Sequence, residues 1–163
     1  MNSAIERLIS LRVRDVMNSD VVTVEDRMTL AQAAELFERY DVTGAPVVNK
    51  TGQCVGVLSV SDFARHEKER ANSAESFGFG IEQLVVKKTG STLQLETCRD
   101  DYVADHMSPF VQTIHIDAPI MNAARVLVGE HIHRLVIVDE DLKPIGILSS
   151  LDLVATMIAA VEE

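Results

Sequence analysis

Two aspartates occupy equivalent places in the chain, each three positions after a serine. Asp62 follows Ser59, and Asp152 follows Ser149. Because each serine can begin a helix, each carboxylate falls in a first helical turn, where it can accept two hydrogen bonds from the hydroxyl groups of a ligand. A carboxylate in that turn also complements the helix dipole without any ligand. The sequence leaves both roles open.

A histidine and an arginine stand side by side at the start of a later apolar run. Arg134 can bind phosphate oxygens in a forked geometry, and His133 can add another donor. In so acidic a chain, Arg134 can equally pair with a surface carboxylate. His131 raises the question of a metal ion, but three ligands are usually required and no carboxylate or cysteine lies at suitable spacing. We therefore predict no metal site.

The sequence lacks the usual catalytic patterns. Ser59 and Ser149 lie outside any Gly-x-Ser-x-Gly elbow, no Walker-type phosphate loop occurs, and no nucleophile has a base at recognisable spacing. Cys54 and Cys98 have neither metal-type nor redox-type spacing. We predict a protein that is not an enzyme and that requires no cofactor.

The composition limits the classes of partner. The 163 residues include 15 basic and 25 acidic residues, and the formal charge of −10 repels nucleic acid and anionic membranes. No apolar run approaches the roughly 20 residues that span a bilayer, and Glu6 and Arg7 interrupt the place of a signal-peptide core. We expect a soluble, cytoplasmic protein that binds neither nucleic acid nor membranes. A small ligand with a phosphate group is compatible with this charge.

An internal repeat organises the elements that must position these residues. Asp15-Val16-Met17 recurs 90 positions later as Asp105-His106-Met107. The same shift aligns, without a gap, Val21 and Thr23 with Val111 and Thr113, Ala33-Ala34 with Ala123-Ala124, Val48 with Val138, Gly56 with Gly146, Leu58-Ser59 with Leu148-Ser149, and Asp62 with Asp152.

Each copy predicts the element order βαββα, an α/β (α+β) fold. Apolar residues at helical spacing predict an amphipathic helix in each copy: Leu30, Ala33, Ala34 and Phe37, and Ile120, Ala123, Ala124 and Leu127. Apolar, β-branched runs predict strands at Ala45–Val48, Cys54–Leu58, Leu135–Val138 and Ile145–Leu148. Final helices are expected to end near Arg70 and Ala160. One unit alone would expose a face of its sheet, so we expect the two copies to pack through their sheets as one pseudo-two-fold module.

The repeat divides the chain into four parts. We assign 1–12 to a helical lead, 13–70 to the first repeat, 71–102 to a linker and 103–163 to the second repeat. Residues 72–80 have loop composition, and Leu84–Val86 with Leu93–Leu95 could form a hairpin.

Two tandem βαββα units, each with a Gly-aliphatic-Leu-Ser segment followed by aspartate, resemble the cystathionine β-synthase (CBS) domain pair, or Bateman module. The resemblance covers Val13–Arg70 and Val103–Ala160. In the second copy, Ile132–Asp139 and Gly146–Ser149 are similar to the nucleotide-binding repeats of the AMP-activated protein kinase gamma subunit. The resemblance implies a disc of paired domains that often dimerises and binds adenosine-containing ligands that regulate a partner.

In that family, a cleft takes the serine and aspartate of one repeat and the threonine and His-Arg segment of the other, so the resemblance implies two crosswise sites. Site one would combine Ser59, Ser61, Asp62, Thr113, Ile114, His133 and Arg134. Site two would combine Thr23, Val24, Gly44, Ala45, Pro46, Ser149 and Asp152, with Thr43 beside Gly44. Gly44 stands where Arg134 stands in the other copy, and Leu151 replaces the serine at Ser61. Site two is therefore expected to lack phosphate donors and to bind ligand more weakly.

These expectations combine into one functional hypothesis. The chain is expected to be a regulatory module that binds AMP, ADP, ATP or a related adenosine compound between its repeats, forms a homodimer and modulates a separate partner protein. The alternative is a ligand-free module for dimerisation or docking.

Overall fold

The computed structural model describes residues 2–76 and 101–162 and contains two similar sets of elements. The first set is α1 (Asn2–Ser10), a 3-10 turn (Val13–Asp15), β1 (Val24–Glu25), α2 (Leu30–Tyr40), β2 (Gly44–Val48), β3 (Cys54–Ser59) and α3 (Val60–Ser76). The second set is α4 (Val103–His106), β4 (Thr113–His115), α5 (Ile120–Gly129), β5 (Arg134–Val138), β6 (Pro144–Ser149) and α6 (Ser150–Glu162). The predicted βαββα order is confirmed in both copies.

The end of α3 differs from the sequence prediction. The helix continues to Ser76, beyond the expected end near Arg70 and into the stretch assigned to a loop. Ala71, Ala74 and Glu75 favour helix, and the intervening polar residues cost a few tenths of a kcal/mol each, roughly. The hairpin predicted at 84–95 lies outside the described residues.

Each copy forms its own three-stranded sheet. In the first sheet β1 runs parallel to β2, which pairs with β3 in antiparallel fashion, and β4, β5 and β6 repeat this order in the second sheet. The register places Gly44 beside Ser59 and Arg134 beside Ser149. The start of each central strand therefore lies next to the corner where the last strand turns into a helix.

The hydrophobic cores are completed crosswise. The core under α2 contains Leu30 and Phe37 of the first repeat, but also Val103 from the segment that leads into the second repeat. In the same way, Val13 from the first leader lies in the core under α5, beside Leu127. Neither repeat therefore encloses its core with its own residues alone.

Two glycines allow the leaders to cross over the sheets. Val57 and Ser108 exchange two backbone hydrogen bonds of 2.9 Å, which adds the second leader to the first sheet. A Cβ atom at the neighbouring Gly56 would contact the Met107 sulfur and would lie 2.9 Å from the Ser108 carbonyl oxygen. Gly146 has the same relation to Met17. The repeated glycine and methionine are thus two sides of one contact between repeats.

Within residues 2–76 and 101–162, no helix combines the length and the apolar character required to cross a membrane.

Candidate functional site

Asp62 lies in the first turn of α3 and closes that turn onto the preceding strand. Its Oδ2 atom accepts hydrogen bonds from the Ser59 backbone amide at 2.7 Å and from the Ser59 hydroxyl at 2.8 Å. The carboxylate is buried, with 6% of the residue surface exposed. Its other oxygen, Oδ1, lies 3.3 Å from the Arg65 guanidinium. One oxygen is therefore used to cap the helix, and the second carries an ion pair.

Asp152 repeats the helix cap without the ion pair. Its Oδ2 atom accepts from the Ser149 amide and hydroxyl, each at 2.7 Å, and its own amide donates to the Ser149 hydroxyl at 3.2 Å. Under the 90-residue shift, Arg65 corresponds to Ala155. The helix-start role considered from the sequence is therefore present at both aspartates, but only Asp62 has a neighbouring cation on its helix.

Arg134 reaches from the second repeat to the first. Its NH1 donates a hydrogen bond of 3.1 Å to the Thr43 hydroxyl. The Thr43 carbonyl in turn accepts from the Val60 amide at the start of α3, at 3.0 Å. Arg134 is exposed and therefore keeps further donors available to a ligand. This contact brings the arginine of one repeat to the corner that carries Ser59 and Asp62 of the other.

The remaining site-one residues are distributed around this corner and the adjoining sheet. Ser61 and His133 have exposed side chains, and the His133 carbonyl accepts from the Ser150 amide. Ile114 packs partly buried against the second core. Thr113 lies beside Val136 in the sheet. Ile114 therefore has a packing role.

A shallow cavity lies between the repeats, and Thr113 is the one predicted site-one residue in its wall. The cavity has a volume of about 180 Å³ and is lined by Cys54, Val55, Pro109, Val111, Thr113, Val138 and Leu142. Small-molecule sites usually enclose about 300–1,000 Å³. In the described part of the chain, the cavity at Thr113 is therefore separate from the corner that Arg134 reaches.

Site two is more closed than site one. Val24, Ala45 and Pro46 are buried in the first sheet, so their side chains face protein, whereas Thr23 is half-buried. At Gly44, a Cβ atom would lie 3.3 Å from the Leu58 carbonyl oxygen, which restricts larger residues there. Ser149 and Asp152 are half-buried. None of these residues is an arginine.

Arg65 was missed by the sequence reasoning. It lies three positions after Asp62 in α3, a spacing that places two side chains on one face of a helix. That spacing was visible in the sequence and could have identified Arg65 as a second cation near site one.

His131 has a conformational role at the end of α5. It has a positive φ of 53°, and Asp41, its counterpart after α2, has a φ of 51°. Both residues therefore occupy the left-handed conformation that often ends a helix.

Cys54 forms part of the cavity wall. Burial raises the pKa of the Cys54 thiol, and a hydrogen bond with the Gly56 backbone partly opposes that shift. The thiol is therefore a weak nucleophile at neutral pH.

Comparison with known proteins matches both repeats to one family. The family model of the CBS domain matches residues 13–69 and 103–159. An uncharacterized protein of Methanocaldococcus jannaschii is 30% identical over 156 residues, which cover 90% of each chain. Several other curated relatives are longer, and the matched region spans between 11% and 56% of their length.

Solved structures share the fold. The crystal structure of CBSX2 in complex with AMP has a TM-score of 0.68 and 25% identity, and the match covers 94% of this chain and 100% of that one. The CBS domain pair of protein MJ0100, in complex with 5′-methylthioadenosine and S-adenosyl-L-methionine, has a TM-score of 0.64 and 18% identity, and the match covers 89% and 98%. The chain belongs to the CBS domain family and carries one CBS domain in each repeat.

Proposed function

We propose that this CBS pair is a regulatory module that binds an adenine nucleotide at site one and thereby modulates a separate partner protein. The observation that carries the proposal is the hydrogen bond from Arg134 to Thr43, which brings a phosphate-binding side chain of one repeat to the Ser59–Asp62 corner of the other. The AMP bound to CBSX2, a protein of the same fold with 25% identity, supports an adenosine ligand.

The chemistry of this corner suits a nucleoside phosphate. Ribose hydroxyls donate to the Asp62 carboxylate, which is fixed in place because its Oδ2 atom already caps α3. Arg134 supplies a planar set of donors to the phosphate oxygens. The Arg65 side chain is 63% exposed. When a ribose hydroxyl takes its place at the Asp62 carboxylate, Arg65 can turn to the phosphate. Site one thus offers one anion for the sugar and two cations for the phosphate.

Site two is proposed to be empty or to hold a less charged adenosine compound. Gly44 and Ala155 stand where site one has Arg134 and Arg65, so phosphate would meet no guanidinium from these positions. The helix cap of Asp152 leaves one carboxylate oxygen for a ribose.

A pair of aspartate variants tests the assignment by calorimetric titration with AMP. Asp62→Ala is expected to weaken binding by about 2 kcal/mol, roughly thirtyfold, because a charge-assisted pair of hydrogen bonds is lost. Asp152→Ala removes an equivalent helix cap and is the matched control. Each variant should lose about 1 kcal/mol of folding stability. The assignment is wrong if Asp152→Ala abolishes AMP binding while Asp62→Ala leaves it unchanged.

A ligand-free docking role is the second candidate, and the exposed apolar residues Leu151, Val154, Ile158 and Val161 of α6 favour it. A thermal-shift screen with AMP, ADP, ATP, NAD and S-adenosylmethionine separates the two functions. A ligand that binds only the folded state raises the unfolding midpoint by mass action. Flat responses to all five compounds would support the docking role. Recovery of the added nucleotide unchanged is the expected result for a module without catalytic activity.

A further inference from the structure

Three potential metal ligands converge where the first repeat meets the leader of the second. His66 lies in α3, Asp101 precedes α4 and His106 ends α4. The His66 Nε2 atom lies 3.0 Å from Asp101 Oδ2, and the His106 Nε2 atom lies 3.7 Å from Asp101 Oδ1. One ligand atom from each residue lies within 4.8 Å of the other two. The sequence reasoning considered a metal ion only at His131, which is far from these residues in the chain.

The buried histidine of this cluster has no hydrogen bond to satisfy its ring nitrogen. His66 is 6% exposed, and its Nε2 atom has no hydrogen-bond partner in the described part of the chain. Asp101 is close enough, but its direction from the ring does not allow N–H donation. A buried nitrogen left in this way destabilises the fold unless another partner binds it. A bound ion would satisfy this nitrogen, and the Asp101 oxygen 3.0 Å away is the nearest second ligand that the described residues offer.

The duplicated fold does not require polar residues at this junction. Under the 90-residue shift, the counterparts of His66, Asp101 and His106 are Thr156, Leu11 and Val16. Leu11 and Val16 pack against the second core. The second junction is therefore built with apolar side chains where the first has an acid and an imidazole, so the polar cluster is an addition to the fold.

The chemistry of the cluster selects a class of ion. Two imidazole nitrogens and one carboxylate oxygen suit divalent transition ions such as Zn²⁺, whereas Mg²⁺ and Ca²⁺ prefer sites built from oxygen. With Zn²⁺ bonds of about 2.0–2.1 Å in a tetrahedron, ligand atoms lie roughly 3.3 Å apart. The His66 Nε2 atom lies 3.0 Å from Asp101 Oδ2 and the His106 Nε2 atom lies 3.7 Å from Asp101 Oδ1, so each imidazole approaches a different carboxylate oxygen at a separation near this value. We infer that His66, Asp101 and His106 bind one Zn²⁺-type ion, whose fourth position is open to water.

An ion at this place would fasten the two repeats together. His66 belongs to the first repeat, whereas Asp101 and His106 flank Val103, the residue of the second leader that lies in the first core. Metal binding would therefore hold the leader in its crossed position. This role is separate from nucleotide binding at the Arg134 corner.

Metal uptake by the full-length chain without a histidine tag tests the inference. Equilibrium dialysis against Zn²⁺, followed by elemental analysis, should give one ion per chain, and Mg²⁺ should not compete. At a free Zn²⁺ concentration of 100 times Kd, the unfolding midpoint should rise by roughly 5–10 °C. Co²⁺ substitution should give the visible absorption of a low-coordinate site.

Conservative variants identify the ligands. Asp101→Asn and His106→Gln should each weaken Zn²⁺ binding by more than about 100-fold, since loss of an outer hydrogen-bond partner alone costs roughly 10–100-fold. Substitution of the buried His66 would mix folding with binding, so these two variants carry the test. His131→Asn is the matched control, because it removes an exposed histidine and keeps a residue that tolerates its positive φ. The inference is overturned by absence of Zn²⁺ uptake, by unchanged affinity in Asp101→Asn and His106→Gln, or by an equal loss in His131→Asn.

Discussion

At the residue scale, the two aspartates show how one side chain can serve the fold and still be available to a ligand. Asp62 and Asp152 each use one carboxylate oxygen to close a helix start. The cap fixes the carboxylate in one orientation, which reduces the entropy that a ligand would otherwise have to remove. In each aspartate the second carboxylate oxygen lies outside the cap, so capping alone does not exclude a ligand.

Thiol alkylation provides a test at Cys54. Burial raises its pKa above the ordinary value of a thiol, so the reactive thiolate forms at higher pH than in the unfolded chain. The rate of iodoacetamide labelling can be measured by mass spectrometry as a function of pH in a Cys98→Ser background. We expect the midpoint of this pH dependence to be higher for the folded chain than for the same chain unfolded in urea. A midpoint at or below that of the unfolded chain would contradict the partly buried placement of the thiol.

The same pKa shift has a consequence for stability. The folded state holds the thiol proton more strongly than the unfolded state does, so the stabilisation is complete below the unfolded pKa and is lost as the pH rises through the folded pKa. Stability should therefore decrease at alkaline pH more in Cys98→Ser than in the Cys54→Ser, Cys98→Ser double variant.

Site residues were predictable from the sequence to the extent that the duplication pointed to them. Asp62 and Asp152 are marked by their equal positions after a serine, and the difference between Gly44 and Arg134 appears in a direct alignment of the copies. The Arg134–Thr43 contact joins residues 91 positions apart and depends on how the repeats pack. Local sequence patterns contain no information on that packing.

At the element scale, strands were more predictable than helix ends. Each of the four long strands begins within one residue of the prediction, because a β-branched run and its flanking turn residues define it. The prediction that α3 ends near Arg70 was wrong, because Asn72 and Ser73 are common in loops but interrupt a helix only weakly. The crossed leaders were not predicted, since a four-residue helix such as α4 has no periodicity to reveal its partner.

Substitution of Gly56 tests the contact between leader and sheet. Gly56→Ala should destabilise the chain by about 1–3 kcal/mol, because its methyl group would displace Met107 and the Ser108 carbonyl. Gly129→Ala is the control: a Cβ atom there meets nothing within 4 Å, and alanine in a helix should raise stability by about 0.4–1 kcal/mol. Urea denaturation measures both values. Equal stability of Gly56→Ala and the unsubstituted chain would show that the leader does not lie over Gly56.

At the scale of the whole molecule, the crossed leaders make the two repeats one folding unit. Val103 completes the first core and Val13 completes the second, so separation of the repeats would leave both cores open to water. This interdependence has a consequence for regulation. A ligand that binds residues of both repeats at once, as proposed for Asp62 and Arg134, would act on the interface between them.

We propose the outer face of α6 as the contact surface of the homodimer expected from the sequence. An apolar stripe with helical spacing follows it, and each member is at least half exposed: Leu151, Val154, Ile158 and Val161. Asp152 and Glu162 are the only charged residues of this helix. α1 packs beside α6 and adds exposed Ile5 and Ile9. Apolar surface of this extent is costly to leave in water, and the same face on a second copy can cover it with like residues through a two-fold axis.

Charge introduced on this stripe should dissociate the proposed dimer. Ile158→Lys places a cation at the centre of the proposed interface, so sedimentation equilibrium should show a shift from dimer to monomer. Salt should change this dissociation little, because the lost interaction is apolar. Val128→Lys adds the same charge at a residue of α5 that is 74% exposed and lies outside the stripe, and this variant should remain dimeric. A monomeric unsubstituted chain, or a dimer that survives Ile158→Lys, would exclude α6 as the interface.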